Sequence, residues 1–297
     1  MAKITSLFLI ALFQLLSLLP MRLLRWLGRL VGNLLWLFNG RSRRITEENL
    51  AACFPDMRVA QRADLTKHSL QNLGITILEL GPIWCSPVDK LLTKVSQVSG
   101  EHYLQQGLAD GNGVIILAPH IGAWELLGLY IAKRYPLTTL YQPPDNPAIH
   151  DLIVKVRTRN SSGLAPANTK GVKMLLQRLK RGEVIAILPD QVPPQEGGDF
   201  AAFFGIPALT TTLVKNLAQR TGAKVIIGCA LRAPRNGNFE LIFDALSEDM
   251  ATADTLTSLT VMNKKIQDCV MKAPEQYQWE YKRFKKQPGG ECKYYQK

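Results

Sequence analysis

The chain of 297 residues is 46% hydrophobic and 20% charged, without internal repeats or low-complexity tracts, so it can bury one sizeable core. Its five cysteines (Cys53, Cys85, Cys229, Cys269, Cys292) are odd in number and scattered, without a C-x-x-C pair, which excludes a disulfide framework and favours reduced thiols in a cytoplasmic compartment. The formal net charge is +12, of which residues 1–50 and 281–297 contribute +5 each; basic ends beside apolar segments suit an anionic membrane surface or an acidic carrier protein better than nucleic acid, for which no recognition motif is present.

Residues 4–20 carry no charge over 17 positions, at the short limit for a helix that crosses a bilayer. In the next segment, MRLLRWLGRLVGNLLWLF, Arg22, Arg25 and Arg29 recur at three- and four-residue spacing beside Leu23, Leu24, Trp26, Leu27 and Leu30, the pattern of a basic helix lying among lipid headgroups. An amphipathic helix packed on the rest of the domain is the plainer alternative. Arginines follow the apolar run while Lys3 alone precedes it, so a spanning helix would leave the main domain in the cytoplasm. Residues 1–45 therefore read as a membrane-associated anchor and basic amphipathic segment. Residues 46–80 predict two helices broken near 54–56, with Thr46 as a plausible N-cap.

The stretch at 111–132, GNGVIILAPHIGAWELLGLYIA, joins a short β-branched run, a proline, a histidine and the start of a helical pattern at Trp124. On one continuous helix His120 and Glu125 would lie about 140° apart. If His120 instead ends a strand, Glu125 in the first turn of the helix can point back at the imidazole. Such a pair suits general base catalysis, in which a carboxylate fixes the imidazole tautomer while the other ring nitrogen takes a proton from a hydroxyl. Among the four histidines only His120 has an acidic residue five positions on; His68, His102 and His150 are followed by Leu73, Gly107 and Lys155. The spacing does not match a zinc-binding helix, and no cysteine pairs with a base nearby, so neither a metal nor a thiol nucleophile is expected. A histidine at a turn with an unrelated surface glutamate is the bland alternative.

Beyond that helix, 137–141 predicts a strand, and Asn146 with Pro147 opens a helix ending near Arg157 and Arg159. Residues 169–181 predict an amphipathic helix and 184–188 a second buried strand leading to Asp190 and Gln191, where ligands gather in parallel sheets. Asp190 reads equally as a polar orienting group or as the cap of a turn. Residues 193–205 read as a long loop, 210–221 as a helix, 225–231 and 239–243 as a strand pair around the turn 234–238, and 255–272 as the last long helix.

HIGAWE at 120–125, YQPPDNPAIHDLIVKVRTR at 141–159, VIAILPDQ at 184–191 with FFGIPALTTT at 203–212, and PEQYQWEYKRFK at 274–285 resemble, in that order and spacing, the bacterial lipid A biosynthesis (late, secondary) acyltransferases, within the H-x4-D/E glycerolipid acyltransferase superfamily. The resemblance covers nearly the whole chain; Tyr281 stands where the family's last motif commonly carries histidine. It implies transfer of a fatty acyl chain from acyl carrier protein to a hydroxyl of a lipid A precursor, with His120 and Glu125 catalytic, at the cytoplasmic face of a bacterial inner membrane with its anionic lipids. It also implies that Arg157 and Arg159, with Asp190 and Gln191, bind substrate, the arginines through their planar forks to phosphate. No cofactor is expected. The expected fold is α/β, one domain over 46–290 with a central mixed sheet flanked by helices, then a basic tail at 291–297. An acyl-CoA-dependent enzyme acting on another glycolipid, such as a phosphatidylinositol mannoside, would use the same pair, and a membrane-surface scaffold would need no catalysis.

Overall fold

The computed structural model describes residues 2–144, 146–159, 162–234, 237–247, 249–291 and 293–295. Cys292 and residues 235–236 of the expected turn at 234–238 lie outside the described residues. Five helices come first: α1 (Ala2–Ser17), α2 (Met21–Leu37), α3 (Arg41–Cys53), α4 (Val59–Cys85) and α5 (Val88–Leu92). There follow β1 (Val95–Ser99), α6 (Glu101–Ala109), β2 (Val114–Leu117), α7 (Trp124–Ala132), β3 (Leu137–Tyr141), α8 (Pro147–Arg157), β4 (Gly163–Pro166), α9 (Thr169–Leu179) and β5 (Val184–Ile187). The chain closes with β6 (Gly198–Phe203), β7 (Ile206–Thr211), α10 (Leu213–Thr221), β8 (Lys224–Arg232), β9 (Phe239–Ala245), α11 (Asp249–Thr252) and α12 (Thr255–Lys272).

Seven strands form one mixed sheet in the order β1-β9-β8-β2-β5-β3-β4; only the β8–β9 pair is antiparallel. The central strands are short, apolar and rich in β-branched residues because both faces are covered. Ile115, Leu117, Ile185 and Ile187 pack with residues of α9, α10 and α12 such as Leu179, Leu217 and Ile266, whereas Val114, Ile116, Val184 and Ala186 face Leu104 of α6 and Leu126 and Leu127 of α7. This alternation at period two produces three layers, as expected for an α/β domain.

Two expectations are corrected. The stretch at 193–205 is not a long loop: β6 and β7 form an antiparallel hairpin. Its two-residue turn, Phe204 and Gly205, has φ of +52° and +76°, the left-handed pair that matches the twist of a tight hairpin. Consequently the helix expected from residue 210 starts at Leu213. Thr46 is no N-cap but lies buried inside α3, whose cap is Gly40 and which runs across the expected boundary at residue 45. Arg43 donates to the Trp36 carbonyl at 2.7 Å and stacks over the Trp36 ring, adding a turn ahead of Thr46.

The N-terminal segment finds no support as a spanning helix. No helix among the described residues is long and apolar enough to cross a membrane. Instead α1 packs Phe13 and Leu16 beside Trp84 and α8, and α2 lies on α4. The α2–α4 contact is a glycine seam: a Cβ at Gly32 would stand 2.2 Å from the Gln71 Cα, and one at Gly74 2.2 Å from the Gly28 carbonyl oxygen. Beneath the seam, buried Glu79 accepts from Arg25 Nε of α2 at 2.7 Å and from Arg232 Nε of β8 at 2.8 Å. The two N-terminal helices are thus built into the domain.

Candidate active site

His120 and Asp190 meet through strand register. Leu117 of β2 sits opposite Ile187 of β5 in parallel pairing, and His120 and Asp190 each follow three residues later, after Pro119 and Pro189. Both prolines end their strands at the same level, since proline has no N–H for the ladder. The Asp190 carboxylate accepts from the His120 backbone N–H at 2.9 Å and lies 2.9 Å from Nδ1 of the ring. Asp190 is buried, which by itself raises a carboxyl pKa; the imidazole and the two His120 hydrogen bonds outweigh this and hold it below its ordinary value. An ionised Asp190 only accepts, so Nδ1 carries the proton; in the neutral ring that leaves Nε2 as the acceptor.

The turn that carries His120 is pinned on two sides. Gly122, at φ +62°, donates to the Gln276 carbonyl at 3.0 Å, and its missing Cβ is required because one would fall 2.1 Å from the Ala230 carbonyl oxygen. The Ala123 N–H donates to the same Ala230 oxygen at 2.7 Å, and the Gln278 N–H to the His120 carbonyl at 3.1 Å. The C-terminal motif at 274–285 is therefore the clamp on the histidine turn. Trp124 packs edge-on against the imidazole with ring centroids 5.1 Å apart. Gln191 Nε2 lies 3.3 Å from His120 Nε2 and donates to Gln278 Oε1 at 3.2 Å. The Tyr281 hydroxyl accepts from the Val192 N–H at 2.9 Å, holding the loop that follows Asp190.

Glu125 does not supply the carboxylate at Nδ1. It sits in the first turn of α7, where it accepts both Nε, at 3.2 Å, and Nη2 of Arg157 in a bidentate pair. Strand register brings Asp190 to the ring, while Arg157 at the end of α8 claims Glu125.

Two cavities meet at this pair. One, about 600 Å³, is lined by His120, Gln191, Arg157, Tyr141 and residues at the start of α10. The other is small and mostly apolar, about 50 Å³, running between the sheet and α7 past Trp84, Leu127, Gly128, Val156 and Leu188, with Glu125 and Arg157 also in its wall.

The sequence signature described as bacterial lipid A biosynthesis acyltransferase matches residues 2–286. The chain belongs to that family. This acyltransferase is similar to the lipid A biosynthesis lauroyltransferase of Escherichia coli (strain K12), 29% identical over 92% of this chain and 88% of the relative. It is also similar to the palmitoleoyltransferase of the same strain, 29% identical over 93% and 90% of the two chains, and to its myristoyltransferase, 24% identical over 91% and 82%.

In this acyltransferase the two candidate arginines have separate fates. Arg157 stays at the junction of the cavities. Arg159 donates Nη1 to the Trp84 and Ser86 carbonyls at 3.1 and 2.9 Å and Nη2 to Ile83, so its fork closes the C-terminal end of α4. The phosphate-binding reading of Arg159 finds no support in this geometry. No group of three or more metal-type side chains is placed to hold an ion among the described residues. The cysteine thiols are no better poised: burial raises Cys53 and Cys85, and the Cys269 contact with burial raises Cys229. Glu280, beside Gln278 and near the imidazole, has its carboxyl raised by burial, and no local sequence signal marks it. The repeated pattern V-I-x-x-x-P before His120 and Asp190 is the signal that could have paired them.

Proposed function

We propose that the acyltransferase moves a fatty acyl chain from the thioester of acyl carrier protein to a hydroxyl of a lipid A precursor, as a secondary acylation at the cytoplasmic face of a bacterial inner membrane. The observation that carries the chemistry is His120, with Nδ1 on Asp190 and its ring in the wall of a large cavity. His120 Nε2 takes the hydroxyl proton as that oxygen attacks the thioester carbonyl; the C–O bond forms, the C–S bond breaks, and the leaving thiolate recovers the proton from the imidazolium. Asp190 steadies the imidazolium. The reaction needs no cofactor and no side-chain nucleophile, in keeping with the buried, raised thiols.

Arg157, oriented by its bidentate pair with Glu125, is the cation at the cavity junction and binds the acceptor's phosphate. The apolar cavity beside α7 receives the acyl chain; its position next to Glu125 and Arg157 supports a thioester carbonyl seated between them and His120. Membrane association rests on the outer side of α1 and α2, where Leu15, Leu18, Trp26, Leu34, Leu37 and Phe38 are exposed. A 16-residue helix is about 24 Å long against a hydrocarbon core of about 30 Å, so α1 and α2 lie in the interface rather than cross it. Excess positive charge at both ends of the chain suits anionic lipids and an acidic carrier protein.

The test is transfer by the full chain from a common fatty acid presented either on acyl carrier protein or on coenzyme A, with the acceptor read by mass spectrometry. One added chain per acceptor, faster from the carrier protein, is expected. Transfer from coenzyme A alone, or a covalent acyl-enzyme trapped during turnover, would overturn the donor assignment or the direct mechanism respectively.

A further inference from the structure

A second large cavity, about 620 Å³, opens between α2, α4, the end of β8 and the end of α12. Arg22, Arg25 and Arg29 enter it from successive turns of α2, with Arg232 and Lys272 opposite. Glu79 bridges Arg25 and Arg232 from below, so these two are largely compensated. Arg29 and Lys272 are exposed and make no ion pair among the described residues. With Glu240 and Glu275 as the acidic wall residues, five cations face three carboxylates, Glu79 included. The wall of this hollow therefore carries a net positive charge.

Position on α2 indicates what fills it. At 100° per residue, the row Arg22, Arg25 and Arg29 lies roughly 90° around the helix from the exposed Trp26, Leu30 and Leu37. A helix resting in the interface on that apolar row holds the arginines at its flank, level with phosphates. The cavity is also set apart from the reacting ring: Gln276 forms part of its wall, and the backbone of the same segment clamps Gly122 and His120 from the other direction. We infer that this cavity binds the phosphate headgroup of an anionic glycerophospholipid, distinct from donor and acceptor. The inference rests on the interfacial seating of α1 and α2 proposed above. An acidic carrier protein fits less well, because it must deliver its thioester to the His120 cavity and presents a broad surface rather than a group that enters a hollow.

The experiment compares binding of the full chain to vesicles of phosphatidylcholine alone and of phosphatidylcholine mixed with phosphatidylglycerol. The double variant Arg29→Gln/Lys272→Gln should lose about tenfold to thirtyfold in affinity for the mixed vesicles, at about 1 kcal/mol per cation. Its binding to phosphatidylcholine alone should not change. The control pair Lys90→Gln/Lys180→Gln removes the same charge from exposed positions elsewhere and should lose little. An equal loss in the control pair would reduce the site to diffuse attraction and overturn it. So would an acceptor KM that rises while vesicle affinity holds, which would make the hollow an acceptor phosphate site, or weakened binding of apo acyl carrier protein alone. Absence of wild-type binding to either vesicle would sink the interfacial seating itself, a result separable from failure of the cavity.

Discussion

His120 and Asp190 act together, and Glu125 acts through Arg157, so their variants should fail differently. His120→Ala should lower turnover by about 10²- to 10⁴-fold. Asp190→Asn removes the group that fixes the tautomer, and the double variant should be little worse than His120→Ala because the two residues form one unit. Glu125→Gln frees the Arg157 fork and should raise the acceptor KM alongside Arg157→Lys, with a smaller effect on the step at the ring. If Glu125→Gln instead shifted the acidic limb of the pH–rate profile as Asp190→Asn does, the Nδ1 assignment would be wrong. Asp190 also links stability to pH. Its folded pKa is depressed, so its contribution is present above the unfolded carboxylate value of about 3.9 and is lost as pH falls through the lower folded value. In urea unfolding, the advantage of wild type over Asp190→Asn should shrink as pH drops below about 4.

At the level of elements, α7 matters for the room it leaves. Gly128 stands in the wall of the apolar cavity, and a Cβ built there meets nothing within 4 Å. Gly128→Ala should therefore fold at least as well, since alanine in a helix interior is favoured over glycine by roughly 1 kcal/mol. Gly128→Leu should fill the cavity and turn donor preference toward shorter chains, read as the ratio of kcat/KM for two carrier-bound chain lengths. An unchanged ratio would move the acyl seat elsewhere. The glycines at 28, 32 and 74 have the opposite role, because there the missing side chains let two helix backbones touch. The hairpin of β6 and β7 is held similarly from outside: Asn263 of α12 donates to the Ala202 carbonyl at 3.1 Å, and buried Arg283 donates to the Leu209 carbonyl at 2.6 Å.

For the whole molecule, the N-terminal helices are both core and surface. Deleting residues 1–44 would strip the glycine seam from α4 and leave buried Glu79 with Arg232 alone, so loss of membrane binding in that variant could not be told from unfolding. The cleaner change is Trp26→Ser, Leu34→Ser and Phe38→Ser together, all on exposed positions. It should weaken vesicle binding at least tenfold, at about 25 cal/mol per Å² of apolar surface, with the melting temperature little moved. Retained binding would place the membrane face on another side of the domain.

The sequence by itself determined the elements whose signals are local. The β-branched runs before Pro119 and Pro189, the Asn146-Pro147 helix start and the helical pattern from Trp124 all formed where periodicity and capping put them, because each depends on neighbours a few residues away. The four ordered motifs were likewise enough to recognise the family. Which carboxylate reaches His120 was not legible that way. Glu125 is five residues distant along the chain and Asp190 seventy, yet parallel register between β2 and β5 makes Asp190 the neighbour in space. The fate of Arg159 likewise depended on where α4 ends, and that of residues 4–20 on α4 and α8 offering an apolar partner. In each case hydrogen-bonding and apolar groups are satisfied by segments distant in sequence, and only the packed structure decides which segment arrives first.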